Sequence, residues 1–270
     1  MKSPCGMINK TNQQISRLTN KHTKKTLGII GYPLEHSFSP RFFEEKIRKE
    51  SIKDVEYLLF PLPSIEMFLQ LLEDNPSLKG VNVTHPCKEE IINYLDEIDN
   101  VAAEIGAVNV VKIIENGSQK KRKGYNTDVI GFRSMVEKTV ANMNVSALIL
   151  GTGGAAKAVE YVLNKLNISA MTVSRTPNIA NITYQTLTAD IVKDNLLIIN
   201  ATPLGMFPLT EFKPDIPYQA ITPNHLVIDL IYNPETTCFM QTCRKYGATI
   251  KNGWEMFQKQ AEASWKIWME

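Results

Sequence analysis

The chain has 270 residues, 43% of them hydrophobic and 21% charged, which is enough for two globular domains of about 100–150 residues each and excludes a disordered chain. Lys plus Arg number 30 against 28 for Asp plus Glu, so the charge balance calls for neither nucleic acid nor a membrane surface as partner. Cys5, Cys87, Cys238 and Cys243 form no C-x-x-C pair and have no histidine at zinc-finger distance; no metal site is expected, and reduced thiols in a cytoplasm fit the pattern.

Residues 1–25 are polar and lysine-rich, lack the apolar core of a secretory signal, and are expected to form a loose tail. No run reaches the roughly 18 apolar residues that a membrane span needs. From "TLGIIG" at 26–31, short apolar runs alternate with amphipathic stretches: a helix at 40–50, "VEYLLFPL", a helix at 64–73, "GVNVT", then 87–95. This is the alternation of an open α/β sheet. The segment "ENGSQKKRKG" at 115–124 carries an Asn-Gly turn signal between apolar runs and reads as a hairpin tip with solvated charges. A second series opens with "ALILGTGGAAKAVEYVLNKL" and continues through "AMTVSRT", "LLIINATPLGM" and "HLVIDLIYNP". Two α/β units in tandem account for both series. The last segment, "NGWEMFQKQAEASWKIW", has apolar residues at helical spacing and is expected to pack back on the first unit.

In "ALILGTGGAAKA", Gly151, Gly153 and Ala156 stand in the G-x-G-x-x-G/A order directly after an apolar strand and at the mouth of a helix, the context a dinucleotide fingerprint requires. Side chains at Gly151 and Gly153 would keep a pyrophosphate from the helix N-terminus, where free N–H groups favour negative charge. At the end of the next strand an acidic residue would receive the adenosine ribose hydroxyls, whereas a cation tolerates an added phosphate. The sequence there is "VSRT", with Arg175 and no acid, which favours NADP over NAD.

A hydride carrier leaves the first unit to supply a proton donor and polar groups for a small oxygenated substrate. Four pieces qualify: "GYPLEHSFSP" at 31–40, "GVNVTHPCK" at 80–88, "GAVNVV" at 106–111 and "GYNTDVIGF" at 124–132. With these motifs in this order the chain resembles the shikimate dehydrogenase family from about residue 26 to its end. The resemblance implies a mixed-sheet α/β substrate domain at 26–126, completed by a C-terminal helix at 253–270, and a Rossmann-type NADP-binding domain at 127–252. It implies NADPH-dependent reduction of 3-dehydroshikimate to shikimate, on the route to chorismate and the aromatic amino acids. Carried over by match, Ser37 and Ser39 bind the substrate carboxylate with help from Tyr232, while Thr84, Asn109, Asp128 and Gln260 hold its hydroxyls. Lys88 is then the catalytic lysine, a proton donor in one direction and a base in the other, with Asp128 orienting it. Gly151, Thr152, Gly153, Gly154, Ala155, Ser174, Arg175 and Thr176 would hold the pyrophosphate and adenosine, and Thr202, Met206, Leu230, Gly253 and Met256 would line the nicotinamide side.

Three departures from the family stand out. "SRT" replaces the usual "NRT", "NIA" replaces a further arginine a few positions on, and "GWEMFQKQA" keeps Gln260 in altered surroundings. Modest selectivity for NADP follows, with NAD a weaker substitute. A quinate/shikimate dehydrogenase and a non-catalytic NADP-binding module remain the alternatives, the first decided around Ser37 and Ser39 and the second by the presence of Lys88 with Asp128. Cys87 beside Lys88 reads as a small packed residue rather than a reactive thiol. A monomer or homodimer acting on a small molecule is expected.

Overall fold

The computed structural model describes residues 24–117, 119–141 and 144–270, so the expected tail and Cys5 lie outside the described residues, except that Lys25 already opens the first strand. That strand, β1 (Lys25–Gly31), is followed by α1 (Ser39–Lys49), β2 (Val55–Pro61), a 3-10 turn and α2 (Phe68–Asp74), then β3 (Leu78–Val83). The chain continues through β4 (Glu97–Ile98), α3 (Asn100–Ile105), β5 (Val110–Asn116) and β6 (Gln119–Tyr125). These strands make one mixed sheet in the order β2-β1-β3-β5-β6-β4. The β1 pairings with β2 and β3 are parallel, and β5 runs antiparallel to both β3 and β6.

One expectation needs correction here, and the hairpin expected at 115–124 is found with its second strand longer than the tip alone. Residues 87–95 do not form an α-helix: Lys88 lies in a turn ahead of a 3-10 helix at Glu90–Tyr94. The lysine-rich segment is the second strand of a hairpin and only begins at its tip, because Asn116 pairs with Gln119 around Gly117, whose φ of 62° suits a residue without Cβ. Two of its charges are paired at the surface: Lys121 meets Glu97 at 2.9 Å and Arg122 meets Asp96 at 2.7 Å. The Arg122 guanidinium holds the Asp96 carboxyl low, at about 2.

Helix α4 (Asp128–Val140) leads into the second sheet, built from β7 (Ala147–Leu150), α5 (Gly154–Lys165), β8 (Ala170–Ser174), β9 (Ile182–Thr183), α6 (Ala189–Asp194), β10 (Leu197–Asn200), β11 (Leu226–Asp229), α7 (Cys238–Lys245) and β12 (Thr249–Asn252). Its order is β9-β8-β7-β10-β11-β12 and every pairing is parallel. Counted from β7 this is the doubly wound order 3-2-1-4-5-6, with the direction of winding reversing between β7 and β10. Strands β7, β10 and β11 are buried along their whole length, as parallel strands covered by helices on both faces must be.

The closing helix α8 (Trp254–Met269) returns to the first sheet as expected. The Trp268 indole donates to the Val111 carbonyl at 3.0 Å, and its ring packs where a Cβ on Gly80 would have to stand. Phe43 stacks on Tyr57 at 4.4 Å and sits beside Trp265 and Trp268, which closes this end of the core. On its other side α8 meets α4, where Gly131 lets the backbone approach Met256. Helix α8 thus touches both sheets while α4 packs on α8 and on the core of the second sheet, and their first turns carry Asp128 and Met256.

Candidate active site

Lys88 is placed by two constraints. Its carbonyl accepts from Val108 N at 2.7 Å, and its side-chain stem lies against Gly154, the first residue of α5. A Cβ on Gly154 would stand 3.0 Å from Lys88 Cβ, so that glycine serves close packing against the lysine as well as the loop it belongs to. The Lys88 ammonium donates to Asp128 Oδ2 at 2.6 Å, and the two side chains retain 18% and 7% exposure, so the pair is largely dry yet reachable. Asp128 opens α4, where unpaired backbone N–H groups favour a carboxylate, and its own N–H donates to Asn126 Oδ1 at 3.0 Å.

Asn109 completes the cluster. Its Nδ2 donates to Asp128 Oδ1 at 2.9 Å and to Thr127 Oγ1 at 3.1 Å, while its Oδ1 accepts from Thr127 N at 2.7 Å. Thr127 Oγ1 reaches Gln260 Oε1 at 3.4 Å and Ser264 Oγ at 3.1 Å. The chain of contacts runs on through Asn82, whose Nδ2 donates to Ser264 Oγ at 3.1 Å and whose Oδ1 accepts from the Tyr57 phenol at 2.7 Å. Burial pushes that phenol well above its ordinary range, and the Ser39 hydroxyl beside it pulls it partly back.

Lys88, Asp128, Asn109 and Gln260 are therefore brought together, and Ser39 lies at the far end of the same polar floor. Ser39 is the first residue of α1 and its N–H donates weakly to Ser37 Oγ at 3.4 Å, so both serines sit at a helix N-terminus with no capping side chain. Thr84 directly follows β3 beside Gly31, whose φ of 145° and clearance of 2.5 Å from Thr84 Cγ2 leave no room for a Cβ. Tyr232 packs among Phe38, Trp254 and Phe257, and burial raises its phenol above the ordinary range. Cys87 is buried in the first sheet's core and burial pushes its thiol up, in line with a packing role.

Sequence reasoning missed four members of the floor: Tyr57, Asn82, Thr127 and Ser264, all nine-tenths buried or more. Asn82 had a readable signal, since it interrupts the apolar run of a strand otherwise too buried to hold an unpaired amide. Ser264 had a weaker one, a lone hydroxyl on the apolar stripe of α8, four residues after Gln260.

On the other side, Gly151 ends β7 with a φ of 113° and its α-carbon faces the backbone of Ala201, which follows β10. It allows the two strands to come close at the switch point. Gly153 is different: a Cβ there would meet nothing within 4 Å, so the space above it is open for a phosphate at the uncapped N-terminus of the twelve-residue α5. Thr152 and Ala155 flank this opening. Ser174 Oγ accepts from Thr176 N at 3.0 Å and turns the chain after β8, leaving Arg175 exposed and without an ion pair among the described residues. Ile179, where a second cation was absent from the sequence, is 57% exposed. Residues Gly153, Arg175 and the β7–β10 crevice fit a phosphorylated dinucleotide.

Between these parts, Thr202 is held by Asn200 Oδ1, which accepts from its N–H at 3.0 Å and its hydroxyl at 2.7 Å. Asn200 Nδ2 donates in turn to Asp229 Oδ1 at 3.0 Å. Met206 is 43% exposed on the loop after β10, where the neighbouring Phe207 packs on His36 of the first unit with ring centroids 3.7 Å apart. Leu230 and Gly253 are in contact so close that no Cβ fits on the glycine. Met256 is buried, in the second sheet's core as well as behind the crevice. Lys157 of α5 pairs with Glu89, and Lys165 with Glu104 at 3.5 Å, so the cofactor-side helix is tied to the segment that carries Lys88.

A mixed sheet and a doubly wound sheet meeting at a lysine–carboxylate pair define a two-unit α/β protein with the layout of a dinucleotide-dependent dehydrogenase. Residues 29–111 match the family described as the shikimate dehydrogenase substrate binding domain. A shikimate dehydrogenase (NADP(+)) of Methanococcus maripaludis is 40% identical over 261 residues, spanning 90% of this chain and 91% of that one. A shikimate dehydrogenase structure from Aquifex aeolicus superposes with a TM-score of 0.79 at 33% identity, covering 91% of this chain and 92% of that one. A structure of the Thermus thermophilus enzyme in complex with NADP(H) and shikimate gives 0.78 at 26% identity, covering 90% and 92%. The chain belongs to the shikimate dehydrogenase family.

Proposed function

We propose that the protein is an NADP-dependent shikimate dehydrogenase, interconverting 3-dehydroshikimate and shikimate in aromatic amino acid biosynthesis. The observation that carries this reading is the Lys88–Asp128 pair at 2.6 Å, set directly against the glycine that opens the dinucleotide helix. A nicotinamide cofactor held at Gly153 and Arg175 would supply the hydride as NADPH in the reduction and take it up as NADP+ in the oxidation. The protein's own part is a proton held at one atom, Lys88 Nζ, which gives it to the substrate oxygen during reduction and recovers it during oxidation. Asp128 fixes the ammonium and, with Asn109, Thr84 and Gln260, holds the ring hydroxyls. The carboxylate rests on Ser37, Ser39 and Tyr232 at the N-terminus of α1, where the helix dipole favours an anion. Gly153, Arg175 and the residues around them hold NADP, and Arg175, without an ion pair among the described residues, leaves that side cationic.

We divide the chain functionally at 26–126 plus 253–270 for substrate and 127–252 for cofactor. Among the described residues no helix is long and apolar enough to cross a membrane. Cys87, Cys238 and Cys243 are free thiols, which supports a cytoplasmic enzyme, and we take it to act as a monomer or homodimer. An absorbance assay at 340 nm crossing shikimate and quinate with NADP and NAD tests the reading. Shikimate with NADP should give the highest kcat/KM of the four pairs, and faster turnover of quinate would overturn the substrate assignment.

A further inference from the structure

Thr127 immediately precedes α4, at the position where a threonine ordinarily turns its hydroxyl onto the free N–H groups of the first turn. It does not do so here: no side-chain cap bond is made, although its carbonyl accepts from Ile130 N and Gly131 N at 3.1 Å each. The hydroxyl is instead buried, with 1% of the residue exposed, among Asn109, Ser264 and Gln260.

The partners around Asn109 fix the orientation of its amide. The Thr127 backbone N–H is only a donor, so the Asn109 atom 2.7 Å from it must be the oxygen. The carboxylate of Asp128 is only an acceptor, so the Asn109 atom 2.9 Å from it must be the nitrogen. Those two partners fix the amide, and the second hydrogen on Asn109 Nδ2 then points at Thr127 Oγ1 at 3.1 Å. Ser264 spends its one proton on the Gln260 carbonyl at 2.8 Å, so toward Thr127 it can only accept. The Thr127 proton has acceptors on both sides, Asn109 Oδ1 at 3.2 Å and, on α8, Ser264 Oγ at 3.1 Å and Gln260 Oε1 at 3.4 Å. One hydroxyl thus stands within hydrogen-bond reach both of the asparagine that orients Asp128 and of the helix that carries Gln260.

We propose that Thr127 is a positioning residue for catalysis: its hydroxyl couples the Gln260 end of the substrate site to the Asn109–Asp128 arm and so sets where the Lys88 ammonium stands. This rests on the dehydrogenase reading above. Because the hydroxyl touches no reacting atom, its loss should appear in turnover more than in binding.

Thr127→Val removes the hydroxyl at constant shape, and Thr127→Ser keeps it. For wild type and both variants, kcat and KM, the shikimate Kd measured calorimetrically without cofactor, and Tm should be compared. In Thr127→Val we expect kcat to fall about tenfold while the cofactor-free Kd stays within about threefold. Thr127→Ser should restore kcat to within about twofold of wild type even if its Tm is lower. Equal kcat in Thr127→Val and wild type overturns the proposal, as does a serine variant whose kcat falls with its Tm to the level of valine. If Thr127→Val does not fold, Ser264→Ala is read the same way, with about threefold lower kcat expected and an unchanged kcat overturning the coupling. A wild type inactive on shikimate with NADP would sink the functional reading itself; an active wild type with indifferent variants sinks this inference alone.

Discussion

Around Lys88 the polar side chains answer one another: Asp128 holds the ammonium, Asn109 holds Asp128, Thr127 holds Asn109, and Ser264, Asn82 and Tyr57 continue the series without a break. Around Arg175 nothing of the kind exists. The guanidinium stands exposed after β8, and the phosphate cradle beside it consists of backbone N–H groups, an open space over Gly153 and a helix end. The substrate side is thus preorganised by buried side chains whose partners are already fixed, whereas the cofactor side offers shape and charge that a ligand must complete. Removing a group from the first should cost turnover, and removing one from the second should cost affinity.

The largest effect should come from the centre of the fixed network. Lys88→Ala is expected to lower kcat by about 10² to 10⁴ with little change in shikimate KM, because general acid–base help is felt in the transition state. Steady-state kinetics decide it, and a kcat within threefold of wild type would remove the lysine from the mechanism. Asp128→Asn should lose about tenfold to a hundredfold in kcat, since the amide cannot hold the ammonium at the same place and would turn an N–H toward Asn109 Nδ2 or Lys88.

Gly154→Ala tests where the two regions touch. The new methyl would stand 3.0 Å from Lys88 Cβ, 3.2 Å from its Cδ and 3.3 Å from Ala107 Cβ, so the lysine stem has to give way. A kcat loss of about threefold to tenfold with NADP affinity nearly kept is expected. A variant that loses NADP affinity and keeps kcat would show that Gly154 serves the cofactor alone.

Arg175→Ala belongs to the open side. A single exposed charge-assisted contact is worth roughly 1 to 3 kcal/mol, so NADP should bind about fivefold to a hundredfold more weakly and NAD nearly as before. Ile179→Arg would place a second cation on the same exposed turn and tighten NADP. Titration of both cofactors into the three proteins checks this, and equal weakening of NADP and NAD by Arg175→Ala would make the residue part of the adenine pocket instead.

The same contrast explains what could be read without coordinates. The fingerprint around Gly151 and Gly153 is local in sequence, because strand, loop and helix follow one another, and Arg175 sits at a fixed place after the next strand. Lys88, Asn109 and Asp128 were legible only as motifs, since they come from three separate segments joined by sheet pairing. Thr127, Asn82 and Ser264 were not read at all: a hydroxyl in a loop motif and another on a helix's apolar stripe gain meaning only when α8 folds back over the first sheet. The helix expected at 87–95 failed for a related reason, as Lys88 is held in a turn by Val108 and Gly154 and not by helical periodicity.

Asp229 carries the comparison to its smallest expected effect, because it is a buried carboxyl on the cofactor side. It ends β11 with no exposure, and accepts from Thr237 Oγ1 at 2.6 Å, Asn200 Nδ2 at 3.0 Å and Ile231 N at 3.1 Å. Burial outweighs those three donors and pushes the carboxyl up to about 7, from 3.8 in an exposed chain. Between those two values the folded protein binds a proton that the unfolded chain has released, so stability falls as pH rises. The contribution is fully present below pH 3.8 and is lost as pH rises through about 7. Relative to Asp229→Asn, which cannot titrate, the wild-type Tm should therefore drop by about 5–10 °C more between pH 5 and pH 8, at roughly 2–4 °C per kcal/mol for a chain of this size. Scanning calorimetry of both proteins across that range checks the sign. If the wild-type and variant curves run parallel, Asp229 titrates outside this window and the Asn200–Thr202 turn beside the cofactor crevice rests on an ionised carboxylate throughout.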